Sequence, residues 1–208
     1  MPKVEHDSIR RLERGLNRAC KSPDPRGITM ARKPAKMYRQ VKGQSFTRRK
    51  YTGGVPNNRI LRFHMGNRRR AEAGEFPVIL HLTVDNACQI RHTALEAGRM
   101  ISNSRIRSGA GEQGYALRVH TYPHQILREN KQATGAGADR VSQGMRQSFG
   151  KNVGTAARVK RDQCIISIQT DPQFYLDARD ALRKAGMKFP SPTKIRVVEG
   201  AELLKGLV

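Results

Sequence analysis

Phe76-Pro-Val-Ile-Leu-His-Leu-Thr-Val84 is the stretch on which the reading of the fold turns. β-Branched and apolar residues dominate it, the mark of a buried strand. Asp85 or Asn86 follows, and either can cap a helix by accepting its free amide protons. Beyond them Ala87, Ile90, Ala94, Ala97 and Ile101 recur at helical spacing, so the expected helix has one apolar stripe and lies on a sheet.

The same logic runs on towards the C-terminus. Tyr115, Leu117 and Val119 alternate with Ala116, Arg118 and His120, a half-buried strand that Pro123 ends. Gln125 to Glu129 reads as another strand. Ala156 to Val159 and Cys164 to Gln169 read as a hairpin turning near Arg161-Asp162. Asp171-Pro172 is a helix start: a capping carboxylate, then proline where its missing N–H costs nothing. Phe174, Ala178, Ala181, Leu182 and Ala185 supply that helix with a buried face, and Gly186 suits its end. Lys194 to Val198 is expected to be the last strand. Two helices among paired strands define an α+β fold of two layers, and its globular part is expected to begin at Glu75.

The sequence changes character on the N-terminal side. From Arg26 to Arg70 there are 14 Lys and Arg and no acid, with Tyr38, Phe46, Tyr51 and Phe63 interleaved. Apart from a strand expected at Arg59 to Phe63, apolar residues are too sparse to bury this backbone. An extended basic N-terminal arm that orders on RNA fits, its aromatics free to stack or wedge; a disordered basic tail is the plainer alternative. Arg32, Lys33, Lys36, Tyr38, Arg39, Arg48, Arg49, Lys50, Arg59, Arg68, Arg69 and Arg70 are its candidate RNA contacts. Residues 1–29 stand apart. Ile9, Leu12, Leu16 and Ala19 allow a short amphipathic helix after Asp7, unless Met30 is the functional initiator.

A second unusual stretch runs from Gln132 to Lys151. Five glycines fall between Gly135 and Gly154, and Lys131, Arg140, Arg146, Lys151 and Arg158 space out cations around the single acid Asp139. Long glycine-rich loops inside a domain are either functional or disordered. The cation spacing favours a loop settling against phosphates over a solvated linker, with Lys151 and Arg158 as further candidate RNA contacts. Three parts are therefore expected: residues 1–29, an arm over 30–74, and a core over 75–208 carrying the 131–154 loop.

Composition points the same way. A formal net charge of +23 on 208 residues implies a polyanionic partner, since so cationic a chain repels itself. Arg outnumbers Lys 27 to 13; guanidinium grips phosphate through two hydrogen bonds, which favours nucleic acid. A membrane partner is not expected, because no apolar run nears the roughly 20 residues that span a bilayer. Cys20, Cys88 and Cys164 are isolated thiols that form neither a disulfide framework nor a zinc-ligand spacing. No secretory signal opens the chain, and the cytoplasm is expected.

Catalytic chemistry finds no foothold. Cys88-x-x-x-His92 and His120-x-x-x-His124 could suggest a metal, but the second pair straddles Pro123 in strand-like sequence, so its rings stand too far apart for one ion. Gly135-Ala-Gly137 lacks the Gly-Lys-Ser/Thr of a nucleotide-binding loop. No catalytic residue, metal, cofactor or small-molecule substrate is expected.

Motifs in register then resemble one family. They are Met30-Ala-Arg-Lys-Pro-Ala-Lys-Met-Tyr-Arg39, Gly54-Val-Pro56, Glu75-Phe-Pro77, Ala94-Leu-Glu-Ala97, Tyr122-Pro-His124, Ile126-Leu-Arg128, Gly135-Ala-Gly-Ala-Asp-Arg140, Gly144-Met-Arg146, Phe149-Gly-Lys151 and Gly154-Thr-Ala-Ala-Arg158. From about Met30 to Val198 the chain resembles the large-subunit ribosomal proteins called L-ten-e in archaea and eukaryotes and L-sixteen in bacteria, on the archaeal side. The resemblance implies a structural ribosomal protein of the α/β-hammerhead kind. It implies contacts with large-subunit rRNA near the central protuberance, with 5S rRNA or its neighbourhood, with tRNA and with neighbouring ribosomal proteins. It also implies that the glycine-rich loop approaches tRNA near the peptidyl-transferase centre. By motif that role falls on Arg128, Gln132, Gly135, Gly137, Asp139, Arg140, Gly144, Met145 and Arg146. Thr134-Gly135 and Asn152-Val153 depart from the common pattern. A free RNA-binding chaperone or regulator is the alternative.

Overall fold

The computed structural model describes residues 33–47, 49–130, 136–141 and 150–204. The helix expected after Asp7 and most of the glycine-rich loop lie outside them. The secondary structure mixes helix and antiparallel sheet, an α+β fold. Among the described residues eight strands fall into two sheets: β1 His64–Gly66, β2 Val78–Val84, β3 Cys88–Arg91, β4 Tyr115–Val119, β5 Gln125–Glu129, β6 Lys151–Val159, β7 Cys164–Thr170 and β8 Thr193–Glu199. The helices are α1 Arg68–Glu72, α2 His92–Ala110, α3 Ala138–Val141 and α4 Tyr175–Gly186.

The larger sheet runs β1-β4-β7-β2-β8. The alternation in β2 gives it two unlike faces. Val78, Leu80, Leu82 and Val84 are fully buried, and the register aligns Leu117, Ile168, Leu80 and Val197 in one lateral row. Helices α2 and α4 pack on each other and cover this face, α4 contributing Ala178, Ala181, Leu182 and Ala185. The opposite face carries the row His64, Arg118, Ser167, His81 and Arg196, one residue from each strand. An antiparallel sheet buried on one side and wet on the other produces such a pattern. The smaller sheet has the order β3-β6-β5.

Three expectations are corrected by this topology. Cys88–Arg91 is a strand paired with β6, so α2 starts only at His92 and neither Asp85 nor Asn86 caps it. Its buried residues are His92, Leu95, Gly98, Arg99, Ser102 and Ile106, a phase shifted from the expected stripe. The segments 156–159 and 164–169 are strands with a turn between them, Asp162 taking φ 59°. They are not a hairpin, because β6 belongs to the small sheet and β7 to the large one. The strand expected over 59–63 forms instead at 64–66.

The second helix start is half right. Pro172 sits at the N-terminus of a short 3-10 turn, Pro172–Phe174, that leads into α4. The Asp171 carboxylate makes no cap; it accepts two hydrogen bonds from Arg70 instead, both 3.0 Å.

Candidate nucleic-acid interface

The arm lies along the small sheet. The Gln89 N–H donates to the Arg39 carbonyl at 2.8 Å, and Gln89 Nε2 to the Gln40 carbonyl at 2.6 Å. Ile126 N–H donates to the Phe46 carbonyl at 3.0 Å, while Phe46 N–H donates to Gln125 Oε1 at 2.7 Å. Asn152 Nδ2 reaches the carbonyls of Thr52 and Gly54. Backbone that has no strand partner of its own is thus paired by main-chain amides of β3 and β5 and by side chains of β3, β5 and β6, as buried or half-buried peptide groups require.

Aromatics of the arm dock the same way. Arg128 stacks over the Phe46 ring at 3.7 Å from its centroid, and Arg91 over Tyr38 at 4.3 Å. The Tyr38 hydroxyl donates to Glu129 Oε2 at 3.1 Å. Burial first, and then the Glu129 carboxylate, raise the pKa of that phenol. Arg158 makes the tightest clasp: its guanidinium donates to the carbonyls of Lys42, Gly43 and Gln44 at 3.1, 2.9 and 3.0 Å.

The contact residues named from sequence therefore divide. Tyr38, Arg70, Arg128 and Arg158 are half-buried and engaged within the protein. Arg70 bridges Asp171 and Glu75 and lies over Phe76 at 4.5 Å. Arg39 is half-buried, and Lys33 is half-buried with an internal partner. Lys36, Lys50, Arg59, Arg69, Arg140 and Lys151 are exposed, and Arg68 pairs only with exposed Glu72. Arg49 closes into a short 3-10 turn, Arg49–Tyr51.

Of the loop residues, Gly137 takes φ 79° and its carbonyl accepts from the Arg140 N–H at 3.1 Å, opening α3 with Asp139 inside it. Arg32, Arg48, Gln132, Gly135, Gly144, Met145 and Arg146 lie outside the described residues. Sequence reasoning did not find Arg91, Gln89, Gln125 or Asn152, whose partners are 49 to 100 residues away. No local signal marks them.

The open face of the large sheet adds a titratable group. His120 Nε2 lies 2.7 Å from Ser167 Oγ, and its ring stands 6.1 Å from that of His81. Burial of the ring, then nearby Arg118 and the histidines at 81 and 64, push its pKa down to about 4. Among the described residues no cluster of three or more His, Cys, Asp or Glu could hold a metal. Among them, too, no helix is long and apolar enough to cross a membrane.

These features define a class: a basic α+β protein whose segment 38–54 is held against a small sheet beside an open, polar sheet face. Residues 41–196 match the family described as ribosomal protein L16p/L10e, and the chain belongs to that family. It is 52% identical over 166 residues to the large ribosomal subunit protein uL16 of Methanosphaerula palustris, which covers 80% of this chain and 94% of the relative. The uL16 of Methanocella arvoryzae is 49% identical over 176 residues, covering 85% of this chain and 100% of the relative. That of Archaeoglobus fulgidus is 49% identical over 179 residues, 86% of this chain and 100% of the relative.

Proposed function

We propose that this protein is a structural constituent of the large ribosomal subunit, working in the cytoplasm as part of the ribosome and not as an enzyme. Its family supports this, as do relatives named for that subunit and matched over nearly their whole length. In this reading it binds rRNA near the central protuberance, close to 5S rRNA, beside neighbouring ribosomal proteins. The glycine-rich loop over 131–154 then helps position tRNA near the peptidyl-transferase centre. The fold is read as a hammerhead-like α/β domain, with a 30–74 arm serving as the rRNA-binding element.

The observation that carries the reading is the arm itself. It contains no acid as far as Arg70, it is clasped by uncharged side chains and by Arg158, and it leaves Lys36, Lys50 and Arg59 exposed. Cations held on a scaffold neutralise phosphates at a smaller entropic cost than cations on a free tail. Ordering of the arm before RNA is met is the role this gives to the small sheet.

The test is co-sedimentation with large subunits in high salt. A subunit constituent stays bound, whereas a free chaperone or regulator dissociates because its electrostatic contacts weaken steeply with salt. Charge removal at Lys36, Lys50 and Arg59 together should reduce incorporation. Arg140→Ala should impair tRNA accommodation more than assembly; unimpaired translation by such ribosomes counts against the loop's role.

A further inference from the structure

The two strands that carry the glycine-rich loop meet at a neck, where β5 ends at Glu129 and β6 begins at Lys151. Glu129 pairs with Lys151 and Arg128 with Asn152, and a shift between Leu127 and Arg128 makes the register skip Val153. Such a bulge re-aims the side chains beside it. The backbones approach closely here: a Cβ on Gly150 would lie 2.8 Å from the Glu129 amide nitrogen. Three of the four paired neck residues hold the arm. Arg128 lies over the Phe46 ring at 3.7 Å, the buried Glu129 carboxylate accepts from the Tyr38 hydroxyl at 3.1 Å, and Asn152 donates to the carbonyls of Thr52 and Gly54. Main-chain bonds fix Phe46 one turn of the ladder further back, at Gln125 and Ile126.

We propose that Tyr38 and Phe46 are positioning residues for the loop: seated on these strand ends, the arm fixes the direction in which residues 130–150 leave the sheet. β5 is an outer strand of the small sheet, and the end of a ladder at a sheet edge opens at little cost. Contacts from one arm segment to both strands supply the order that the ladder's end lacks. The coupling is reciprocal, as any linkage between two equilibria must be. Whatever seats the arm steadies the neck, and whatever distorts the neck loosens the arm. The inference rests on the reading above, in which the arm meets rRNA and the loop meets tRNA; what it adds is the mechanical link between them.

The first measurement is native-state hydrogen exchange on the full chain, at the amides of 127–129 and 151–154, with those of β2 and β7 as reference. Phe46→Ala removes the ring under Arg128 and should quicken exchange at the neck about tenfold. Tyr38→Phe, which loses only the bond to Glu129, should quicken it about threefold. Phe46→Tyr keeps a ring and should show wild-type rates. From the loop side, Gly150→Ala should speed exchange at the Phe46 N–H. Unchanged neck exchange in Phe46→Ala and Tyr38→Phe, or equal acceleration in β2 and β7, overturns the inference. So does an unmoved Phe46 amide in Gly150→Ala. The second measurement uses large subunits carrying the variants. Phe46→Ala subunits should assemble but accommodate tRNA several-fold more slowly, with Phe46→Tyr at the wild-type rate; normal accommodation beside fast neck exchange overturns the positioning role. If the wild-type chain itself fails to co-sediment with large subunits, the ribosomal reading has failed instead, and the exchange rates alone decide whether arm and neck are coupled.

Discussion

Replacing Arg158 by Gln would remove the clasp between the arm and β6 while leaving the hydrophobic core untouched. Arg158 donates to three successive carbonyls, those of Lys42, Gly43 and Gln44, at 2.9 to 3.1 Å. These bonds face solvent, so the freed carbonyls turn to water and each loses the low end of the usual range, about 0.5–1 kcal/mol. The three together amount to about 2 kcal/mol, roughly a 30-fold shift in a local opening equilibrium. That equilibrium is read by native-state hydrogen exchange at the amides the docked arm protects. Gln89 N–H is bonded to the Arg39 carbonyl, Phe46 N–H to Gln125, and Ile126 N–H to the Phe46 carbonyl. Exchange at these sites should quicken about 30-fold while the amides of β2 and β7 keep their protection. Unchanged exchange at Phe46 would refute the idea that Arg158 latches the arm. Equal acceleration in β2 would mean that it supports the whole domain.

Gly66→Ala should destabilise the fold by about 2–4 kcal/mol in urea unfolding, because Gly66 has φ 80° and an added Cβ would run into the backbone carbonyl of Tyr115; a loss under about 0.5 kcal/mol would show that β1 yields freely. His120, with its pKa near 4 in the fold against about 6.5 unfolded, favours the unfolded state when protonated. Its contribution is complete above about pH 6.5 and is lost as pH falls towards 4. Part of the residue stays open to solvent at the sheet face, so screening should hold that loss to about 1 kcal/mol. An NMR titration with a midpoint near 6.5 would contradict it. In a Cys20→Ser background, Cys88 and Cys164 should resist a thiol reagent at pH 8 until denaturant is added. Burial raises both thiols, that of Cys164 to about 11, and thiolate is the reactive form. Prompt stoichiometric labelling of the native protein would refute this.

The elements legible in the sequence are those whose pattern and packing partner are local. β2, β4, β5 and β8 emerge close to their expected limits, and α4 buries Ala178, Ala181, Leu182 and Ala185 as its spacing requires. What failed depended on distant pairing. Cys88–Arg91 has residues suited to a helix turn, but the exposed edge of β6 recruits it as a strand. The turn at Asp162 is real, yet the strands on either side enter different sheets, and nothing within fourteen residues records that choice. Tyr175 takes the place expected of Phe174 on the buried face of α4, because the 3-10 turn shifts the phase by one residue. The site divides similarly. Composition located the cations, but only the fold shows that Arg158 and Arg70 face inward partners while Arg62 and Arg107 meet in one cleft.

That division has a physical consequence for a chain of net charge +23. Glu72, Glu75, Asp85, Glu96, Glu112, Asp162, Asp171, Asp177 and Asp180 all form ion pairs, and none of these pairs involves the arm before Arg68. The most buried of them, Glu96 with Arg99, is nearly enclosed, and the Arg99 guanidinium holds the Glu96 carboxyl below its usual range. Two of these acids, Asp177 and Asp180 on α4, pair with Arg105 of α2 and offset a cation that would otherwise oppose the packing of the two helices. On the small sheet the clasp relies on amides, carbonyls and aromatic faces, which hold the arm without neutralising it. A carboxylate in those positions would bind the arm more strongly and also lower the potential that draws a phosphate backbone. Glu129, which among the described residues accepts from Tyr38 and forms no ion pair, observes the same constraint.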